Sequence, residues 1–180
     1  ALRRSSGPGG PAVDSSMLSA GPPLPQTPED YSGLMDRIVI INGPNLNLLG
    51  QREPEIYGTT TLVDVENLCR EEAGQHALEF RQTNSEAQLI DWIHEAIDNG
   101  SGIVINPAAF TFTSIAILDA LKMFRGPIVE LHISNIHKRE DYYHHSYVSK
   151  VATAVIAGLG AEGYRVATRA LLAMVSRDGR

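Results

Sequence analysis

The chain has little cysteine, no long apolar run and no excess of basic residues, and each shortage excludes a class of protein. One cysteine among 180 residues cannot form an internal disulfide framework, and it suits a reducing compartment. We therefore expect a cytoplasmic protein. No apolar stretch is long enough to span a bilayer, which argues against a membrane protein. A formal net charge of −6 argues against nucleic acid or an anionic membrane as the main partner.

Two catalytic signatures are also missing. No serine lies on a Gly-x-Ser-x-Gly turn, which argues against a serine hydrolase. Four histidines in the last third of the chain could suggest a metal site: His132, His137, His144 and His145. They have no regular ligand spacing, no cysteine partner and no helical His-x-x-x-His pair, so we predict no metal.

The composition divides the chain into three parts. Residues 1–35 are rich in Gly, Pro and Ser without apolar periodicity, which predicts a disordered tail. Arg3-Arg4 is followed by no continuous hydrophobic region, which argues against secretion. Residues 36–176 alternate between strand and helix patterns and predict one folded domain, and 177–180 form a short C-terminal tail.

Apolar runs and capping signals predict a succession of βα units in the folded domain. Strands are predicted at 37–41, 77–82, 102–105, 128–132 and 151–157. Helices are predicted at 61–73, 85–99, 113–124 and 162–175, the first two beginning at Thr61-x-x-Asp64 and Ser85-x-x-Gln88 capping signals. Nearly continuous apolar strands separated by helices predict a parallel, doubly wound α/β sheet of five strands with helices on both faces.

The first predicted strand is followed by an oversized loop, NGPNLNLLGQREPEIYG, at 42–58. It holds no lysine and no Gly-x-Gly-x-x-Gly, so a phosphate cradle is not expected. Its candidate functional side chains are three amides, a guanidinium and a phenol: Asn42, Asn45, Asn47, Arg52 and Tyr57. Amides can orient a polar substrate and hold developing negative charge. A turn-rich connection would use the same residue types, but so long a loop between short elements favours a site.

Tyr57 is the candidate base of this loop. A phenol has a pKa of about 10, too high for a base at neutral pH, but a nearby arginine can lower that pKa. Arg52 lies five residues earlier in the same loop. The alternative, a tyrosine that packs over the edge of the sheet, is equally compatible with the spacing.

The loops after strands one, three and four should meet at one edge of the sheet. They bring Asn106, Ser134 and Arg139 toward the first loop. His132 alone could be a core histidine. Glu130 lies one side-chain period away on the same strand, so a carboxylate could instead orient His132 and keep it basic. A tyrosine, a histidine, an arginine and amides together indicate acid–base chemistry.

These residues resemble a known family, the type II 3-dehydroquinate dehydratases. The resemblance extends over 37–175, and its motifs lie at 42–58, 84–94, 106–109, 130–137, 139–140 and 145–147. It implies a flavodoxin-like fold, a homododecamer built as a tetramer of trimers, and a lyase of the shikimate pathway or of quinate catabolism. The implied reaction removes water from 3-dehydroquinate to give 3-dehydroshikimate without a cofactor.

The resemblance also implies a role for each matching residue. Tyr57 would remove a proton from C2 with its pKa lowered by Arg52, and Asn45 would hold the enolate through a water molecule. His132, oriented by Glu130, would protonate the leaving hydroxyl at C1. The remaining contacts are expected from Asn106 to a substrate hydroxyl, from Ile133 and Ser134 to the carboxylate, and from Asp119 to a neighbouring subunit's site.

Two positions depart from the family pattern. Phe112 stands where the family usually has a histidine that contacts a substrate hydroxyl, and Tyr143 stands where it usually has an arginine. Losing partners for buried hydroxyls weakens polyol binding by about 1–3 kcal/mol per contact. Three hypotheses follow: a 3-dehydroquinate dehydratase, a paralogous dehydratase acting on a less polar or larger cyclic β-hydroxy ketone, and a non-catalytic assembly. Retention of both the base and the acid argues against the third.

Overall fold

The structure is a computed structural model that describes residues 37–51 and 59–178. The tail predicted at 1–35 and the candidate residues Arg52 and Tyr57 lie outside the described residues. Within those two ranges, no helix is long and apolar enough to cross a membrane.

Five strands form one parallel sheet in the order β2-β1-β3-β4-β5. The strands are β1 (Ile38–Asn42), β2 (Leu78–Gln82), β3 (Gly102–Asn106), β4 (Ile128–His132) and β5 (Ala154–Ala157). The three central strands are completely buried, and the two edge strands are partly exposed. Successive strands are added on one side of β1 and then on the other, so the switch point lies between β1 and β3. The predicted flavodoxin-like, doubly wound sheet is confirmed.

Within the described part of the chain, four α-helices cover the two faces of the sheet. They are α1 (Leu62–Ala73), α2 (Glu86–Asn99), α3 (Ile115–Leu121) and α4 (Glu162–Asp178). Ile38 and Ile40 of β1 belong to a core with α1 and α4, whereas Val39 and Ile41 belong to a second core with α2 and α3. This division follows from the two-residue period of a strand and explains why the buried strands are apolar at nearly every position.

The predicted capping signals begin the first two connecting helices. The Thr61 side chain accepts from the Asp64 backbone N–H, and the Asp64 carboxylate accepts from that of Thr61, which completes a capping box. The Ser85 hydroxyl accepts from the Gln88 backbone, but the Gln88 side chain accepts from the Thr83 hydroxyl instead of returning to the cap. Both helices therefore begin where the sequence signals predict.

The starts of two predicted elements differ from the structure by two or three residues. Helix α3 begins at Ile115 because the preceding residues Ala108–Phe112 form a 3-10 helix and Ser114 caps α3 by accepting from the Ile117 N–H at 2.9 Å. Strand β5 begins at Ala154, three residues later than predicted, because Val148–Lys150 forms another 3-10 turn. The apolar pattern extends through these turns because they also pack on the core.

Candidate active site

A cavity of about 200 Å³ lies at the carboxyl ends of β1, β3 and β4. Loops after all three strands line it, so the prediction that these loops converge is confirmed. The polar and aromatic side chains that line it, among the described residues, are Asn45, Asn106, Phe112, His132, Ser134, Arg139 and Tyr143. The cavity lies beside the switch point, where open α/β sheets bind their ligands.

Glu130 and His132 form a buried pair at the end of β4. Their side chains are 0% and 5% exposed, and the distance from His132 Nε2 to Glu130 Oε1 is 2.8 Å. Alternation along the strand places both side chains on one face, as the two-residue spacing predicts. With Nε2 held by the carboxylate, the second ring nitrogen, Nδ1, makes no hydrogen bond within the described residues. The pair therefore presents one imidazole nitrogen for proton transfer.

Three donors keep the Glu130 carboxylate ionised. Burial alone would raise the pKa of Glu130, but hydrogen bonds from His132, Ser149 and Ser146 outweigh it and hold that pKa below its usual value. The Ser146 hydroxyl donates to Oε1 at 2.7 Å, and the Ser149 hydroxyl donates to Oε2. Ser149 lies within the 3-10 turn before β5, and Ser146 lies two residues before that turn. An ionised carboxylate can only accept a hydrogen bond, so Nε2 of His132 must carry the proton. The carboxylate thereby fixes the tautomer of His132.

A second, uncharged cluster joins the ends of β1 and β3. Asn42 and Asn106 are register partners, and the Tyr164 hydroxyl of α4 lies between their side chains. The hydroxyl donates to Asn42 Oδ1 at 2.6 Å and accepts from Asn106 Nδ2 at 2.9 Å. Burial raises the pKa of Tyr164 above its ordinary value, more than the hydrogen bond from Asn106 lowers it. Tyr164 therefore stays neutral and holds the two strand ends together.

Asn106 has limited capacity for a substrate. Besides the bond to Tyr164, its Oδ1 accepts from the Ala108 backbone N–H at 3.3 Å. One side-chain N–H therefore remains for the hydroxyl contact that the family resemblance implies. The side chain is 3% exposed at the floor of the cavity.

The loop after β1 passes close to the loop after β3. A Cβ on Gly43 would lie 2.4 Å from the Pro107 carbonyl oxygen, so only glycine allows this approach. Two residues later Asn45 has φ 68°, a left-handed conformation that asparagine tolerates. Its backbone N–H donates to Asn84 Oδ1 at 2.9 Å. These contacts place the exposed Asn45 side chain at the edge of the cavity.

The two departures from the family pattern touch each other. The rings of Phe112 and Tyr143 meet edge to face, with centroids 5.0 Å apart. Phe112 also stacks on the His132 ring at 6.0 Å, and the Arg139 guanidinium carbon lies 3.7 Å from the centre of the Tyr143 ring. We refer to the rings of Phe112 and Tyr143 together as the aromatic wall.

Three further candidates occupy different environments. Ile133 is buried and Ser134 half-buried at the cavity, and the Ser134 hydroxyl makes no hydrogen bond with any residue in the described ranges. It is therefore available as a donor. Asp119 lies on the exposed side of α3, with its side chain 64% exposed and paired with Lys122 at 2.9 Å. The chain does not bring Asp119 to its own cavity.

Tyr164 and Ser149 are the residues that sequence reasoning missed. Tyr164 reads as an ordinary apolar position of an amphipathic helix, and its partners lie 58 and 122 residues away. No local signal could have found it. Ser149 follows Ser146 by three residues and could have been suspected as a second hydroxyl on the same turn. Among the described residues, no group of three or more His, Cys, Asp or Glu side chains could hold a metal.

A buried carboxylate–histidine pair facing a cavity at the switch point of a doubly wound sheet defines an α/β enzyme built for acid–base chemistry. The family model described as "Dehydroquinase class II" matches residues 36–172. The chain belongs to this family.

Named relatives and solved structures agree with the family. The chain is 63% identical over 146 residues to 3-dehydroquinate dehydratase 2 of Agrobacterium fabrum, covering 80% of this chain and 99% of that protein. It is 59% identical over 140 residues to 3-dehydroquinate dehydratase of Streptomyces avermitilis, covering 76% and 88%. The type II dehydroquinase structure from Propionibacterium acnes is 46% identical with a TM-score of 0.74, covering 78% of this chain and 98% of that chain.

Proposed function

We propose that the chain is a 3-dehydroquinate dehydratase, a hydro-lyase that converts 3-dehydroquinate to 3-dehydroshikimate through an enolate. The observation that carries the proposal is the buried Glu130–His132 pair facing the cavity. Relatives that are 57–63% identical carry the name of this activity. An elimination next to a ketone needs a base, an enolate stabiliser and an acid, and the family motifs supply all three.

The first half of the reaction makes the enolate. Tyr57, as a tyrosinate whose pKa is lowered by Arg52, takes the proton from C2, and the electron pair moves onto the C3 carbonyl oxygen. Tyr57 and Arg52 lie outside the described residues, so their roles rest on the family motif. Asn45 holds the enolate oxygen through a water molecule. Its position at the edge of the cavity supports this role.

The second half expels the hydroxyl. The electron pair returns to form the C1–C2 double bond, the C1–O bond breaks, and His132 protonates the departing oxygen to give water. Because Nε2 faces Glu130, Nδ1 is the nitrogen that donates. Glu130 stabilises the imidazolium before transfer and holds the correct tautomer afterwards.

The remaining contacts orient the substrate. Asn106 uses its remaining N–H for a substrate hydroxyl, and Ser134 with the Ile133 backbone holds the carboxylate. Asp119 acts in a neighbouring subunit's site within a homododecamer, and its exposure in the single chain supports this. The enzyme needs no cofactor, and it works in the cytoplasm in aromatic amino acid biosynthesis or in quinate catabolism.

The decisive experiment adds 3-dehydroquinate to the purified protein and follows the ultraviolet absorbance of the conjugated enone. Turnover is expected in the wild type and is expected to vanish in Tyr57→Phe and His132→Gln. The matched controls are Tyr147→Phe and His137→Gln, which change residues that do not line the cavity. Both controls should retain wild-type rates.

The same assay tests the two alternatives. No turnover by the wild type, with turnover in the double variant Phe112→His plus Tyr143→Arg, would establish a paralogous enzyme with a less polar substrate. No turnover by either protein, with ligand binding unchanged in Tyr57→Phe, would indicate a non-catalytic assembly.

A further inference from the structure

Four cavity side chains form a continuous series of contacts across the site. The His132 ring stacks on the Phe112 ring with an interplanar angle of 23°, and the Phe112 ring meets the Tyr143 ring at 88°. The Arg139 guanidinium lies over the Tyr143 ring. All four residues line the cavity. The aromatic wall therefore lies between the proposed acid and a cation.

Arg139 depends on this wall for its position. It is the only arginine or lysine among the described residues that line the cavity, and no described acidic side chain pairs with it. Its backbone is fixed, since its N–H donates to the Ile136 carbonyl and its own carbonyl accepts from His144 Nε2 at 2.9 Å. The guanidinium itself packs on the face of Tyr143, a favourable cation–π geometry.

His132 is held from two sides. Glu130 fixes the ring through Nε2, which sets the tautomer but leaves rotation about that hydrogen bond. Phe112 packs against the ring face and opposes this rotation. Phe112 is in turn supported by the Tyr143 ring, since an edge-to-face pair resists displacement of either member. A change at Tyr143 should thus reach His132 although the two are not in ring contact.

We propose that Phe112 and Tyr143 are positioning residues that act as one unit and hold the His132 ring and the Arg139 guanidinium in fixed relation across the cavity. This inference rests on the proposed function. The paired role explains why the site has aromatic residues at both 112 and 143. Each ring packs against the other, and in addition Phe112 packs against His132 and Tyr143 against Arg139. Replacing either ring alone breaks the whole series, so the second replacement should add little.

The test is a double-mutant cycle with Phe112→Leu, Tyr143→Leu and the double variant, measured as kcat and KM for 3-dehydroquinate. Each single change is expected to lower kcat/KM by about tenfold, and the double variant should lose less than about threefold more than the larger single loss. Phe112→Leu should act mainly on kcat, because it releases His132. Tyr143→Leu should also raise KM, because it releases Arg139 from its platform and the substrate is an anion.

Two controls separate positioning from general damage. Tyr143→Phe keeps the ring and loses the hydroxyl, so it should retain kcat/KM within about twofold. Tyr147→Leu removes a nearby aromatic ring that contacts His145 and Lys150 and does not line the cavity, and it should also remain within about twofold. A smaller folded fraction would also lower the apparent kcat without changing KM, so kcat is expressed per folded enzyme, with the folded fraction of each variant measured by circular dichroism.

The outcomes distinguish this inference from the function on which it rests. The paired role would be overturned if the losses in kcat/KM multiplied in the double variant, or if Tyr143→Phe lost as much kcat/KM as Tyr143→Leu. In either case, turnover by the wild type would still support the dehydratase function. Calorimetric binding of 3-dehydroquinate without turnover would overturn the function alone, and the same cycle measured on Kd would then decide the pair. No binding at all would overturn both.

Discussion

Two buried polar clusters lie at the same end of the sheet, and they differ in charge. The Glu130 cluster surrounds a carboxylate with three donors and holds its pKa low. The Tyr164 cluster surrounds a phenol with two amides, and burial raises its pKa. Both are almost inaccessible to water, with Glu130 and Tyr164 each 0% exposed.

The difference lies in the donors that each environment supplies. A buried group stays charged only where hydrogen bonds outweigh desolvation, and only the Glu130 cluster has enough of them. The charged cluster can therefore exchange protons with a substrate through His132. The neutral cluster cannot, and its hydrogen bonds instead join three elements, β1, β3 and α4. We therefore expect the charged cluster to carry the chemistry and the neutral cluster to have a structural role.

Glu130→Gln should have the largest effect, because it removes the charge that supports the proposed acid. We expect kcat for 3-dehydroquinate to fall by about 10²- to 10⁴-fold, the usual contribution of general acid–base catalysis. Steady-state kinetics measure it. The control is Asp91→Asn, which removes an exposed charge on α2 and should leave kcat unchanged. A loss of less than about threefold would contradict the assignment of chemistry to this cluster.

Tyr164→Phe should affect stability more than chemistry. The two amides lose a buried partner, and we expect the free energy of unfolding to fall by about 2–4 kcal/mol. Urea unfolding measures this loss, with Tyr142→Phe at an exposed position as the control. The pH dependence of kcat should keep its wild-type shape. A displaced pH profile would show that the neutral cluster takes part in proton transfer.

Ser149→Ala should have a smaller effect that depends on pH. Because the pKa of Glu130 is lowered by folding, its stabilising contribution is present above the unfolded-state pKa of about 4.3 and is lost as pH falls through the folded-state value. Removing a donor raises the folded-state pKa of Glu130 toward its unfolded-state value. The carboxylate then contributes less to stability and loses that contribution over a narrower pH range. Stability at neutral pH should fall by about 1 kcal/mol. Urea unfolding as a function of pH measures this change. If the free energy of unfolding fell at acidic pH as it does in the wild type, the prediction would be wrong.

Cys69 should show the smallest effect of all. It lies in the core beside the neutral cluster, where burial raises the pKa of its thiol to about 11. A thiol-alkylating reagent at about pH 8 should leave the folded protein unmodified and label it fully in urea. As the chain has one cysteine, mass spectrometry gives an unambiguous result. Rapid labelling of the folded protein would show that this side of the sheet opens to water.

Local patterns carried much of the prediction. Apolar strands, the Thr61 capping box and the spacing of Glu130 and His132 are encoded within a few residues, so the sheet and the charged pair could be predicted. The carboxyl-end rule for parallel sheets then brought the loops together. Boundaries near 113 and 151 were less accurate because 3-10 turns share the apolar character of the elements they precede.

Contacts between distant residues could not be predicted. Tyr164 has no sequence neighbour that reveals its two amide partners, and nothing in the separate loops indicates that Phe112 and Tyr143 meet. The roles of Tyr57, Arg52 and Asp119 remain predictions, since the first two lie outside the described residues and the third faces away from the cavity.

The Tyr164 hydroxyl also has a consequence for biosynthesis. It joins Asn42 to a residue 122 positions later, so the floor of the cavity closes only when the last helix docks on strands made much earlier. A nascent chain that has completed all five strands but not α4 lacks this closure. Helix α4 must therefore have left the ribosome and docked before the cavity can bind its first molecule of substrate.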